Sequence, residues 1–220
     1  MMTGLFDYSP SEELEPIWIT DNFVTLFGDE VDPPDRSDVL SLRLLKHSLF
    51  GTGGHPATRA AIWKLLTIPD YKGNKIHREP VPGPFLELGA STGLLALVAA
   101  MSGTEEVYHA SDSMESSALV EDNGVINGLE ILVESNGMAF DPPERFEFYG
   151  TIACQTGGSF TNLKHVPLVF YAMKPGGWLL WSGHSAKRQP EIRGQITEFF
   201  DLVFVDDCMG WPVMIFKKNL

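Results

Sequence analysis

A few short stretches of this sequence carry residues that could do chemistry. The apolar run Phe85-Leu86-Glu87-Leu88 meets Gly89-Ala90-Ser91-Thr92-Gly93, and an apolar segment with helical character, Leu94 to Met101, follows. A glycine turn between a strand and a helix lets a ligand come close to the backbone, because glycine has no Cβ in the way. A dinucleotide site spaces its glycines Gly-x-Gly-x-x-Gly, and here the last of those places falls on Leu94. A P-loop needs Gly-Lys-Ser or Gly-Lys-Thr after the turn, and neither follows. Asp112 ends the next stretch that reads as a strand, Glu106 to Ser111. A carboxylate there can accept hydrogen bonds from both hydroxyls of a ribose. The competing role is an N-cap for the helix that starts at Met114. With the glycine turn one strand earlier, the ribose role is the better reading.

Two further stretches complete the set. Phe50-Gly51-Thr52-Gly53-Gly54-His55-Pro56-Ala57-Thr58 would present free N–H groups at the start of a helix, with Pro56 in its first turn. His55 either acts as a base there or orders the loop beside Pro56, and a lone histidine is more often structural. Cys154 and Gln155 follow a stretch that reads as a strand, Phe146 to Ala153. Cys154 has no evident histidine partner in sequence that would make it a nucleophile.

The elements that must position these residues alternate in type. Pro16 to Ile19 and Val39 to Leu45 read as extended, with the turn-rich Asp29 to Arg36 between them. Ala60 to Leu66 and Leu94 to Met101 read as helices. So does Met114 to Ile126, which closes on Asn127-Gly128. Leu129 to Val133 and Phe146 to Ala153 read as strands, Leu163 to Met173 as a helix, and Lys174 to Gly177 as a turn. Trp178 to Trp181 is a strand and Gln189 to Phe199 a helix; Leu202 to Val205 and Val213 to Phe216 look like a closing antiparallel pair. Strands alternating with helices predict an α/β sandwich on a largely parallel sheet with an antiparallel edge.

Composition narrows the partners. The chain has 220 residues and a formal charge of −13, and its 16 basic residues form no stripe. This argues against nucleic acid as the main partner. It suits a basic protein or a small molecule, although solubility accounts for most of such charge. No apolar run is long enough to span a membrane. Met1 to Pro16 is acidic and lacks the basic start and apolar middle of a secretory signal. The two cysteines, Cys154 and Cys208, fit a reduced cytoplasmic protein. The six histidines show no paired metal-ligand spacing, so no metal is expected.

Gly-x-(Gly/Ser)-x-Gly matches the turn with which methyltransferases hold S-adenosylmethionine, a ligand without phosphate. Three segments together resemble PrmA, the bacterial ribosomal-protein lysine methyltransferase family. Phe50 to Thr58 is similar to that family's FGTGTHPTT, Glu87 to Ala96 to its DLGCGSGILA, and Asp122 to Gly128 to its ENAELNG. Lys174-Pro175-Gly176-Gly177, then Trp181-Ser182-Gly183 and Gln189, keep the family's order.

The resemblance implies the class I methyltransferase fold, a Rossmann-like three-layer sandwich with a seven-stranded sheet. It places S-adenosylmethionine among Phe50, Thr52, Gly53, Thr58, Glu87, Gly89, Ala90, Ser91, Gly93, Asp112, Ser113 and Cys154, and the chemistry at Cys154, Gln155 and His55. Cys154 stands where the family has the asparagine of its ANIL motif, Ser91 replaces a glycine, and Gly54 and Ala57 replace threonines. Residues 1–45 are expected to form an N-terminal arm and extended segment, too short for the family's substrate-recruiting domain, and 46–220 the methyltransferase domain. The implied activity is methyl transfer to a protein amine or a small-molecule nucleophile. The alternatives are a catalytically altered S-adenosylmethionine-binding module of the same fold and another enzyme with a nucleoside ligand.

Overall fold

The computed structural model describes residues 16–28, 31–45, 51–68, 79–89, 92–111, 113–135, 138–140, 144–155 and 163–219. Seven strands form the main sheet: β4 (Phe85–Leu88), β5 (Val107–Ser111), β6 (Leu132–Ser135), β7 (Tyr149–Gln155), β8 (Met173–Ser182), β9 (Asp201–Cys208) and β10 (Trp211–Lys217). Their order is β6-β5-β4-β7-β8-β10-β9. Strands β4 to β8 run parallel, and β10 is antiparallel to both β8 and β9. The antiparallel pair expected at the sheet's edge is therefore β9 and β10, with the last strand slotted between β8 and β9.

Alternation along the strands divides the core in two. In β4, Phe85 belongs to one hydrophobic cluster, and Leu86 and Leu88 to the other. The first cluster contains helices α1 (Pro56–Thr67) and α2 (Leu94–Met101). The second is closed by α4 (Val166–Ala172) and α5 (Gln189–Ile196). Helix α2, Leu-Leu-Ala-Leu-Val-Ala-Ala-Met, is apolar all round and has Leu94 to Ala99 buried, as a helix under a sheet must be. Helix α3 (Met114–Ile126) is capped by the Ser113 hydroxyl, which accepts from Ser116 N at 3.2 Å.

Some boundaries differ from the sequence expectation. Lys174 to Gly177 lies within β8 rather than in a turn, and the expected helix over Leu163 to Met173 starts as a single tight turn before α4. Strand β6 starts at Leu132, later than expected.

Before the main sheet, β1 (Ile17–Thr20), β2 (Phe23–Phe27) and β3 (Leu40–Leu44) form a separate three-stranded sheet. Strand β2 is buried along its whole length, so it lacks the alternation that would have marked it in sequence. Ile19, Phe23, Phe27, Leu42 and Leu44 join the cluster that holds α1 and α2.

Two asparagines on one face of α3 complete the outer edge of β3. Asn127 accepts from Arg43 N at 2.8 Å and donates to Arg43 O at 2.7 Å. Asn123 accepts from Leu45 N at 2.9 Å and donates to Thr92 O at 3.2 Å. The i,i+4 spacing puts both amides in register with the strand. Asn123 is fully buried, so replacing it by alanine strands Leu45 N and Thr92 O. Asn123→Ala is expected to destabilise the fold by about 2–4 kcal/mol in denaturant unfolding. A loss under about 0.5 kcal/mol would show that the clamp carries no stability.

Candidate active site

The carboxyl ends of β4, β5, β7 and β8 meet at one rim of the sheet, where an open α/β sheet binds its ligand. At the end of β4, Gly89 sits at φ +79° and donates to Ala110 O at 3.2 Å. Gly93, at φ +70°, caps α2. A Cβ on Gly93 would come within 2.6 Å of Val120, so close packing adds to the backbone constraint.

Beneath this turn lies Glu87, fully buried in the middle of β4. Its two carboxylate oxygens accept from Leu95 N at 3.1 Å and Ala96 N at 2.9 Å. His109 Nδ1, on the neighbouring strand, lies 3.4 Å from the same carboxylate. Two of the amides that a helix N-terminus would offer to a phosphate are thus already taken by Glu87. A second negative group placed there would be repelled. The site fits a ligand that approaches the turn without phosphate. Glu87 holds the turn from below.

The glycine loop before α1 docks on the same turn. Thr92 Oγ1 donates to Gly51 O at 2.7 Å, and Thr25 Oγ1 of β2 donates to Thr52 O at 3.1 Å. Gly53 is at φ +97°, and a Cβ there would meet Ile19 at 2.7 Å and Leu94 at 3.4 Å. Thr52 and Thr58 are buried. His55 caps α1, its Nδ1 accepting from Ala57 N at 3.2 Å, and its ring stands edge-on to Trp211 with centroids 4.5 Å apart. Burial lowers its pKa. This is the loop-ordering role, and accepting at Nδ1 places the ring proton on Nε2.

The structure thus brings Thr52, Gly53, Glu87, Gly89 and Gly93 into one region. Ser113 serves as the helix cap that the sequence reading had offered to Asp112. Phe50, Ala90, Ser91 and Asp112 lie outside the described residues. Cys154 is wholly buried in the second cluster, beside Leu88 and Trp181 in the strand register, and burial pushes its thiol well above the usual range. It is a packing residue rather than a thiolate. Gln155 is the residue of that strand end that reaches the rim, half-buried, with its Nε2 enclosed and unpartnered.

Sequence reasoning missed three contributors. Thr92 and Asn123 wire the turn to the loop and to β3, and only the asparagine spacing on α3 hinted at this. His184, just beyond β8, is 3% exposed, with both ring nitrogens enclosed and the Ser182 backbone beside the ring. Nothing in the sequence separated it from the other lone histidines. An open groove lined by Trp18, Asp21, Arg36 and Arg59 lies over β1, but its arginines are engaged, Arg36 with Asp38 at 2.7 Å and Arg59 with Trp18 O.

Two outcomes follow from this geometry. Glu87→Ala is expected to cost about 2–4 kcal/mol of stability, because it orphans two buried amides. Glu87→Gln, which keeps one acceptor oxygen, should lose less; equal losses would contradict the capping role. His184 is pulled down to about 4, chiefly by burial, with the Ser182 backbone opposing and the Arg188 charge assisting. The unfolded chain, with its histidine near pKa ~6.5, takes up that proton first as pH falls. This contribution to stability is present above pH ~6.5 and is lost as the pH drops toward about 4. His184→Leu should flatten the melting-temperature decline across that window, and an unchanged slope would rule the coupling out.

Comparison with known proteins agrees with this architecture. The family model described as "Ribosomal protein L11 methyltransferase (PrmA)" matches residues 8–219. A ribosomal protein L11 methyltransferase of Geobacter sp. (strain M21) is 28% identical over 181 residues, covering 78% of this chain and 53% of the relative. One from Citrifermentans bemidjiense is 25% identical over 218 residues, covering 94% and 61%. The chain thus spans little more than half the length of these relatives. Among solved structures, the ribosomal protein L11 methylase of Lactobacillus delbrueckii subsp. bulgaricus superposes with a TM-score of 0.78 at 19% identity, covering 94% of this chain and 100% of that one. The N-methyltransferase NodS of Bradyrhizobium japonicum WM9, in complex with S-adenosyl-L-homocysteine, gives 0.58 at 13% identity, covering 76% and 89%. The fold is that of the class I methyltransferases, and by the match along nearly its whole length the chain belongs to the ribosomal protein L11 methyltransferase (PrmA) family.

Proposed function

We propose that this chain is an S-adenosylmethionine-dependent methyltransferase acting on an amine of a protein, a lysine side chain or an N-terminus. Ribosomal protein L11, which the relatives' names point to, is the first acceptor to test. The observation that carries the reading is the Glu87 carboxylate under the glycine turn. It occupies two first-turn amides of α2 that a phosphate would use, while Gly89 turns the chain above it at positive φ.

Bound S-adenosylmethionine would supply a methyl group activated on a sulfonium. The residues that would hold it are the Gly89–Gly93 turn, Thr52 and Gly53 of the docked loop, and Asp112, the next residue in sequence after β5. The chain's own part is to present the acceptor. An amine must be neutral to attack, and a lysine near ~10.4 needs a desolvated place to become so. Gln155, at the rim with a free amide end, is the residue to orient it, since in-line transfer needs the nucleophile ~3–3.5 Å from the methyl carbon. Cys154, neutral and packed, has no step to perform. His55 frames the loop.

The net charge of −13 complements a basic protein acceptor. Among the described residues no helix is long and apolar enough to cross a membrane. Both cysteines are free thiols, in keeping with a reducing cytoplasmic compartment.

S-adenosylhomocysteine at ~100 times its dissociation constant should stabilise the protein by about 2.7 kcal/mol in thermal unfolding. Incubation with labelled S-adenosylmethionine should place the label on L11. No thermal shift with donor or product would sink the cofactor assignment. A shift with no transfer to L11, free lysine peptides or small amines would favour the binding-module alternative.

A further inference from the structure

Buried polar atoms are partnered in roughly nine cases of ten, so an orphan needs a reason. Two orphans stand on neighbouring strand ends at the rim of the site. Gln155 ends β7 and is paired in register with Ser182 of β8; its Nε2 is enclosed and has no partner. His184 comes two residues after Ser182, past Gly183 at φ +81°, with both ring nitrogens enclosed and the Ser182 backbone beside the ring.

The course of the chain fixes where His184 lies. The β8–β10 ladder pairs Trp181 with Met214, and past it Ala186 N donates to Gly210 O at 2.9 Å. The segment between them therefore stays alongside the start of β10, level with Trp211, whose ring meets His55 of the cofactor loop. Adjacent strands are ~4.8 Å apart, so Gln155 lies beside Ser182, and His184 follows two residues on at the same carboxyl end of the sheet.

A primary amine in its reactive form has two N–H donors and one lone pair. Fixing the lone pair's direction takes two acceptors, one for each N–H. A side-chain amide can turn its oxygen to the face where its nitrogen stands, because the two ends are nearly alike in shape. A neutral imidazole has one acceptor nitrogen. The enclosed indole Nε1 of Trp181 is a donor only and cannot serve.

We infer that His184 is a positioning residue for the methyl acceptor: its acceptor ring nitrogen takes one N–H of the incoming amine, and the Gln155 side chain takes the other. This deepens the methyltransferase reading and rests on it. It specifies a nitrogen acceptor with at least two hydrogens, a primary amine, over a hydroxyl or thiol, which has only one. The same burial and the nearby Arg188 charge keep the ring uncharged, so that an acceptor nitrogen is present at neutral pH. The Ser182 backbone carbonyl takes the ring proton and leaves the other ring nitrogen as the acceptor.

The test uses binding, so it does not depend on which protein carries the amine. The probes are S-adenosylhomocysteine and two analogues in which nitrogen replaces the sulfur and bears either an aminoethyl or a propyl arm. Wild-type protein should bind the aminoethyl analogue at least about tenfold more tightly than the propyl one. His184→Leu should bring that ratio to within about twofold of unity while the dissociation constant for S-adenosylhomocysteine stays within about twofold. His184→Asn, which keeps an acceptor, should recover part of the preference. The inference is overturned if wild type shows no preference, if His184→Leu keeps it, or if that variant loses S-adenosylhomocysteine as strongly as the amine probe and asparagine does not restore selectivity. Wild-type protein that binds none of the probes overturns the cofactor reading, and this inference with it; binding without amine preference overturns this inference alone.

Discussion

The site depends on one buried carboxylate. Glu87 sits in the middle of a short hydrophobic strand, where an unpaired charge would be too costly to keep. It survives there because the first turn of α2 directs two amides at it and His109 stands beside it. The strand, the turn and the helix are thereby locked into one geometry. The left-handed glycines above follow from that geometry, since the chain must reverse within a few residues over a fixed anchor. The same carboxylate selects the ligand by charge, because a helix N-terminus already capped by an anion no longer attracts phosphate.

Around this anchor the rest of the chain is tied in by side-chain-to-backbone bonds. Thr92 reaches the loop before α1, Thr25 reaches the same loop from the N-terminal sheet, and Asn123 bonds both Thr92 and the end of β3. Each link satisfies a backbone group in an irregular segment that has no ladder of its own. The three-stranded sheet therefore does more than cover apolar surface: it sets the loop on the turn. The opposite side of the site is built differently. Gln155 and His184 have enclosed polar atoms at the strand ends, and among the described residues the Gln155 Nε2 has no hydrogen-bond partner. A site that must receive a polar acceptor has to leave polar atoms unpaired until the acceptor arrives.

The mixture of legible and hidden features has physical causes. Helices α2 and α3 were readable to the residue, since a turn signal and a cap bound each of them. The Phe50–Thr58 loop was readable as a candidate because few segments combine so many glycines with a helix start. Strand β2 was not, because complete burial erases the period-two pattern. Cys154 and Gln155 are adjacent in sequence and equally suspect there; the pleat of β7 sends one into the core and leaves the other at the rim.

The sequence by itself determined the α/β alternation, the family resemblance and the position of the glycine turn, since these rest on local spacing and on residue types with narrow backbone roles. Only the tertiary structure decided what Glu87 does, which of Cys154 and Gln155 reaches the rim, and that His184 lies at the same end of the sheet. Those depend on contacts between segments far apart in the chain: a carboxylate acts as a helix cap only once the helix is above it, and a lone histidine becomes an acceptor only where folding has removed water and every other partner. The glycine turn was legible from the start; the anion beneath it, which determines what the turn can hold, was not.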